Sequence, residues 1–176
     1  MAAPKCAKTW LGLDRALSVA TGAACLGKYA VPLPATVLSS FSGAITGSTR
    51  IHRILAEVGS IAFPGVFDTL SAKLAHRAGF PMAFVSGYSV AATAIGEPDL
   101  GLLTQTEMID RARRICLSVP IPVIVDADTG YGNPLNVHRT VAELIAAGAA
   151  GCFLEDQVWP KRCGHMRGKR VIGRDG

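Results

Sequence analysis

The chain has 176 residues, 49% of them apolar and 18% charged, with 18 Lys and Arg against 13 Asp and Glu for a formal charge of +5. That composition builds a core and excludes a disordered chain; the longest apolar stretches fall far short of the ~20 residues a membrane helix needs. Nucleic-acid binding is also disfavoured, because the excess charge sits at the two ends (+4 over residues 1–50, +5 over residues 157–176, −4 between) and no nucleic-acid motif is present.

The expected class is soluble and globular. The five cysteines, Cys6, Cys25, Cys116, Cys152 and Cys163, are odd in number and form no C-x-x-C pair. Neither a disulfide framework nor a zinc site is expected, and a reducing compartment fits.

Residues 1–48 hold one acid, Asp14, among Ala, Ser, Thr, Gly and scattered Lys or Arg. That composition is expected of a disordered extension, an organelle transit peptide or a misassigned start, and not of packing on the body. Asp14, Arg15 and Lys28 interrupt any secretory signal.

From Thr49 strands and helices alternate. Thr49–Val58 predicts a helix, Ile61-Ala62-Phe63 a short strand ended by Pro64-Gly65, and Thr69–Ala78 a helix followed by Gly79 as its cap. Met82–Ser86 predicts a strand, Glu107–Ser118 a helix, and Pro122–Val125 a fully apolar, buried parallel strand. Leu135–Ala147 predicts a helix and Gly151–Leu154 a fourth strand. This rhythm means parallel βαβ units. Asp68, Ser86, Asp126, Asp128, Glu155 and Asp156 fall just after strands, where barrels and open α/β sheets carry their active groups. No G-x-G-x-x-G and no P-loop is present. Four strands leave two readings, a small open sheet or half of a barrel.

Two segments carry chemistry. In Ile124-Val125-Asp126-Ala127-Asp128-Thr129-Gly130, alternation points both aspartates to one side. Two such carboxylates repel unless they share a cation or a proton. Glu155 ends the neighbouring strand, and three carboxylates there suit Mg²⁺. Helix capping or arginine pairing is the alternative, favoured for an isolated Asp-x-Asp but outweighed once Glu155 is in register. In Lys161-Arg162-Cys163-Gly164-His165-Met166-Arg167-Gly168-Lys169, cations flank a thiol and favour its thiolate. The glycines allow a loop that closes over a site. A solvated basic loop with an incidental thiol is the equal alternative. Cys152 and Cys116 are expected in packing.

Ser86-Gly87-Tyr88, Gly101-Leu102-Leu103-Thr104, Asp126-Ala127-Asp128-Thr129-Gly130, Leu154-Glu155-Asp156-Gln157 and Lys161-Arg162-Cys163-Gly164-His165 together resemble the isocitrate lyase and phosphoenolpyruvate mutase superfamily. The likeness runs from about Ile51 to Ile172 and is nearest to the plant branch of carboxyvinyl-carboxyphosphonate phosphorylmutase-like and petal death protein-like sequences. It implies the N-terminal half of a (β/α)₈ TIM barrel over residues 49–176, α/β with parallel strands. It implies that Asp126, Asp128 and Glu155 hold Mg²⁺ (or Mn²⁺), partly through water. Ser86, Gly87 and Tyr88 would hold a substrate carboxylate, with Lys161, Arg162 and Gly164 also binding substrate. Asp99 would accept a hydroxyl proton. Cys163 would act as general acid or base, tuned by His165, Lys161 and Arg162.

The resemblance further implies a C–C lyase acting on a 2-alkylmalate or a related small carboxylic acid, because superfamily mutases and decarboxylases lack the Cys-Gly-His loop. A phosphorus-transferring mutase is the runner-up. It implies a chloroplast location, with cytoplasm and mitochondrion as alternatives, and relatives that are homo-oligomers through a C-terminal helix. The family pattern continues with four more strands, whereas here Val171-Ile172 is followed by Gly173-Arg174-Asp175-Gly176. The expectation is a truncated gene model or splice form, and with it the alternative of a non-catalytic fragment.

Overall fold

The computed structural model describes residues 8–12 and 50–173. In chain order the elements are β1 (Lys8–Gly12), α1 (Arg50–Val58), β2 (Gly65–Val66), α2 (Thr69–Arg77), β3 (Ala83–Val85), α3 (Gly87–Ala94), α4 (Gln105–Ser118), β4 (Val123–Asp126), α5 (Pro134–Ala146) and β5 (Gly151–Glu155). They form one sheet in the order β1-β5-β4-β3-β2. The four strands β2 to β5 are mutually parallel, and β1 pairs antiparallel with β5.

Side-chain caps set the helix starts. Asp68 accepts from the Ser71 amide at 2.7 Å, and Ser71 returns the favour, closing a capping box on α2. Thr104 with Glu107 does the same for α4, and Asn133 with Asn136 for α5, where Pro134 takes the first helical position. Each such cap stabilises its helix by about 1 kcal/mol.

The period of two along the strands divides the core. Val85, Val123, Val125 and Cys152 pack against Ala72, Met108, Ile109, Ala112, Ile115, Val141 and Leu144 from α2, α4 and α5. The opposite face carries Phe84, Ile124 and Phe153, with Ile51 and Met82 beneath them. Phe84 and Phe153 meet edge to face at 5.2 Å. Sequential parallel strands with α2, α4 and α5 packed on one face are the first half of a (β/α)₈ barrel, as expected.

Three elements differ from the sequence reading. The second strand is Gly65–Val66 and not Ile61–Phe63: the Phe84 amide donates to the Pro64 carbonyl at 3.0 Å, so pairing begins where the Pro-Gly pair suggested an end. As the sheet's outer strand, β2 tolerates a proline at its start. Helix α3 was not anticipated. Lys8–Gly12 pairs along its length with Glu155–Gly151, although residues 1–48 were expected not to pack on the body. The rest of that extension, with its disordered or transit-peptide reading, lies outside the described residues.

Candidate active site

Strand β4 is buried throughout and ends in Asp126. Beyond Ala127 the backbone turns sharply: Asp128 has φ 47° and Tyr131 φ 65°, left-handed values that cost a non-glycine residue about 1–3 kcal/mol each. The Asp128 amide donates to Asp126 Oδ1 at 3.3 Å, and its carbonyl accepts from the Glu155 amide at 2.7 Å, which ties the turn to β5. Both carboxylates face the start of α3. A methyl group on Gly87 would lie 3.2 Å from Asp126 Oδ2 and 3.5 Å from Asp128 Oδ1. Strand alternation therefore aims Asp126, whereas the left-handed turn aims Asp128.

Lys161 is 1% exposed, and its ammonium pairs with both Asp99 and Asp128. Burial pushes the Asp128 carboxyl up to about 6; Lys161 opposes that rise and Asp126 adds to it. Burial alone would lower the Lys161 ammonium, but the charges of Asp128 and Asp99 outweigh it and hold it above an ordinary lysine. The Lys161 ammonium is thus held by the two carboxylates, two residues before the thiol that the resemblance has it tune.

The Cys163 loop is anchored at its base by Gln157. Its Nε2 donates to Glu155 Oε2 at 2.6 Å and to the Arg162 carbonyl at 2.8 Å, while its Oε1 accepts from the Arg162 amide at 3.0 Å. The Cys163 amide donates to the Asp99 carbonyl at 2.9 Å. Cys163 is buried, and its Sγ lies 3.4 Å from His165 Nδ1. The His165 ring in turn lies 6.1 Å from the exposed ring of Tyr88. The Arg162 side chain is exposed and donates to the Arg167 carbonyl at 3.2 Å, and Gly164 is exposed beside it. Burial pushes the Cys116 thiol up to about 11 and the Cys152 thiol up to about 12, so both stay protonated at neutral pH, as packing residues should.

Ser86 is the N-cap of α3, its Oγ accepting from the Ser89 amide at 3.4 Å. Gly87 and Tyr88 follow in the first turn, where amides have no intrahelical acceptor. The structure brings Asp99, Asp126, Asp128, Lys161 and Gly87 together. It does not close Asp126, Asp128 and Glu155 into a cage: no three His, Cys, Asp or Glu side chains among the described residues form a ready metal cluster. Mg²⁺ is nonetheless compatible with what is present. It takes one or two carboxylates and keeps several waters, and here Asp126 Oδ2 and Asp128 Oδ1, the latter shared with Lys161, both lie beside the Cα of Gly87, which carries no side chain. Sequence reasoning missed Gln157 and Tyr131 as site residues; Gln157 sits inside a quoted motif and Tyr131 directly follows one, and only the fold shows what each touches.

These features define an α/β barrel-type protein with a carboxylate–ammonium centre at its strand ends. Residues 51–171 match the family described as Phosphoenolpyruvate phosphomutase, and the chain belongs to it. It is 59% identical over 125 residues to "Carboxyvinyl-carboxyphosphonate phosphorylmutase, chloroplastic" of Arabidopsis thaliana, a match of 70% of this chain and 37% of that protein. It is 56% identical over 135 residues to "Petal death protein" of Dianthus caryophyllus, covering 76% and 42%. Among solved structures, 2,3-dimethylmalate lyase, a PEP mutase/isocitrate lyase superfamily member, aligns with a TM-score of 0.65 at 42% identity, covering 70% of this chain and 42% of that one. A phosphonopyruvate hydrolase in complex with oxalate and Mg²⁺ aligns with a TM-score of 0.58 at 35% identity, covering 65% and 41%. The chain thus spans about two fifths of the relatives it matches. No helix among the described residues is long and apolar enough to cross a membrane.

Proposed function

We propose that the chain carries the first half of a carbon–carbon lyase that cleaves a 2-alkylmalate, or a related 2-hydroxy or 2-oxo dicarboxylic acid, with Mg²⁺. The observation that supports this most is the 3.4 Å contact between Cys163 Sγ and His165 Nδ1, on the loop whose Lys161 is buried between Asp99 and Asp128. A thiol and an imidazole suit proton transfer at carbon, and the buried charges suit work at oxygen.

The residues divide the work. The first-turn amides of Gly87 and Tyr88, with the Ser86 hydroxyl, bind a substrate carboxylate at the positive end of α3. Arg162 and Gly164 complete that binding as the loop closes. Asp99 accepts the proton of the 2-hydroxyl group, with Lys161 holding the charge. The O–H electron pair becomes the carbonyl π bond, the C2–C3 bond breaks, and its electrons remain on C3, which keeps its own carboxylate. Cys163 donates a proton to that carbon, and His165 returns one to the thiol. Asp126, Asp128 and Glu155 would hold Mg²⁺ or Mn²⁺, Glu155 through water. When bound, the cation supplies charge stabilisation for the substrate's oxygen atoms.

The test is release of a 2-oxo acid from 2,3-dimethylmalate and other alkylmalates, followed by coupled NADH oxidation with and without EDTA. Mg²⁺-dependent release is expected. Its absence from folded protein overturns the lyase reading. The phosphorylmutase reading draws on the Arabidopsis relative, and P–C bond formation in the same preparation would favour it; neither activity would favour a non-catalytic fragment. The chloroplast is the proposed location, supported by the acid-poor composition of residues 1–48 and by the relative named chloroplastic. Import of a fluorescent fusion tests it.

A further inference from the structure

Tyr131 ends the turn that begins at Asp126 and holds a left-handed φ of 65°. Its ring packs against the main core. Its hydroxyl is buried and has no hydrogen-bond partner, the one such side-chain atom among the described residues. An unmet buried hydroxyl costs about 1–3 kcal/mol, and phenylalanine would fill the same space without that cost. Asp128 acts on the hydroxyl as a charge and as the nearest acceptor, although no contact meets strict hydrogen-bond geometry. The charges of Asp126 and Asp99 also reach it. It is a neutral O–H donor among acceptors, and one oxygen of Asp128 is already engaged by Lys161. Two left-handed residues and an unmet donor within four positions concentrate strain at one spot of the site.

We infer that Tyr131 is a positioning residue whose O–H donates to an oxygen arriving with the bound divalent cation, either a water of its hydration shell or an oxygen of the substrate carboxylate. This rests on the Mg²⁺ reading above. The donor set is complete only when that oxygen is present, so the hydroxyl acts on ligand affinity and not on folding.

Tyr131→Phe in the 176-residue chain tests this by calorimetry with Mg²⁺ alone and with Mg²⁺ plus oxalate, and by thermal unfolding in EDTA. The expected result has opposite signs: Tm in EDTA unchanged or raised, and affinity lowered about tenfold, the usual cost of losing an outer partner of a metal site. Weaker binding of Mg²⁺ alone identifies the oxygen as water; weaker binding of oxalate only identifies it as the substrate's. Affinities within twofold of the parent in both titrations overturn the inference, as does a Tm in EDTA lowered by several degrees, which makes the hydroxyl structural. A folded parent that binds no Mg²⁺ overturns the metal reading itself and this inference with it, an outcome visible before the variant is made.

Discussion

Replacing Lys161 by methionine keeps the length of the side chain and removes its charge. Lys161 is buried and contacts two carboxylates that are themselves buried, Asp99 and Asp128. Breaking a buried ion pair from one side costs about 3–5 kcal/mol, because the partner charge is left uncompensated. For a chain of this size each kcal/mol moves Tm by about 2–4 °C, so a fall of roughly 10 °C at pH 7 is expected. The pH dependence has a definite sign. The Asp128 carboxyl already sits near 6 with Lys161 present, above its value of ~3.9 in an unfolded chain. Its contribution to stability is therefore full below about pH 4 and lost as pH rises through about 6. Without Lys161 the upper limit moves higher, because burial and the charges of Asp126 and Asp99 then act unopposed. The variant's deficit must shrink between pH 7 and pH 5, as Asp128 takes up a proton in place of the lost ammonium. Denaturant unfolding at both pH values measures this. A variant within ~1 kcal/mol of the parent at pH 7, or a deficit that grows on acidification, would refute the reasoning.

Cys163→Ser should lower C–C cleavage by ~10²–10⁴ in rate while leaving oxalate and Mg²⁺ affinity near the parental value; cleavage at the parental rate would remove Cys163 from proton transfer. Gly87→Ala sets a methyl 3.2 Å from Asp126 Oδ2 and should weaken Mg²⁺ binding about tenfold, on the scale of other outer-site losses, with circular dichroism unchanged. Asp68→Ala removes the α2 cap and should cost about 1 kcal/mol at pH 7. The Ser71 amide bond holds the Asp68 carboxyl below its usual range, so the difference between parent and variant persists at pH 5 and fades as pH falls through that lowered value.

Strand β4 was legible because Val123, Ile124 and Val125 are continuously apolar, which only a strand buried on both faces sustains. Helices α2, α4 and α5 showed themselves through apolar spacing, with Gly79 and Gly148 taking positive φ just past two of their ends. Helix α3 did not: Gly-Tyr-Ser-Val-Ala-Ala-Thr-Ala is small and apolar on most sides and carries no stripe. Strand β2 is two residues long, too short for any period. In the site, Asp126 could be aimed from alternation alone, but Asp128 lies past the strand end, where φ and not alternation decides its direction. Lys161 read as one cation in a basic run. Its burial depends on Asp99, 62 positions earlier in the chain, and no local pattern announces such a pair.

The ammonium of Lys161 has a consequence for how the acidic centre is assembled. Where a structural metal supplies folding free energy, the protein's stability follows the concentration of the ion. Here a counter-charge is tethered to the backbone, so one of the two negative charges at Asp99 and Asp128 is compensated by the polypeptide at every ion concentration. On the proposed Mg²⁺ reading, an arriving dication would compete with Lys161 for Asp128 and would not complete an unfinished fold. Starving the protein of divalent ions would then empty the site without depleting the pool of folded molecules.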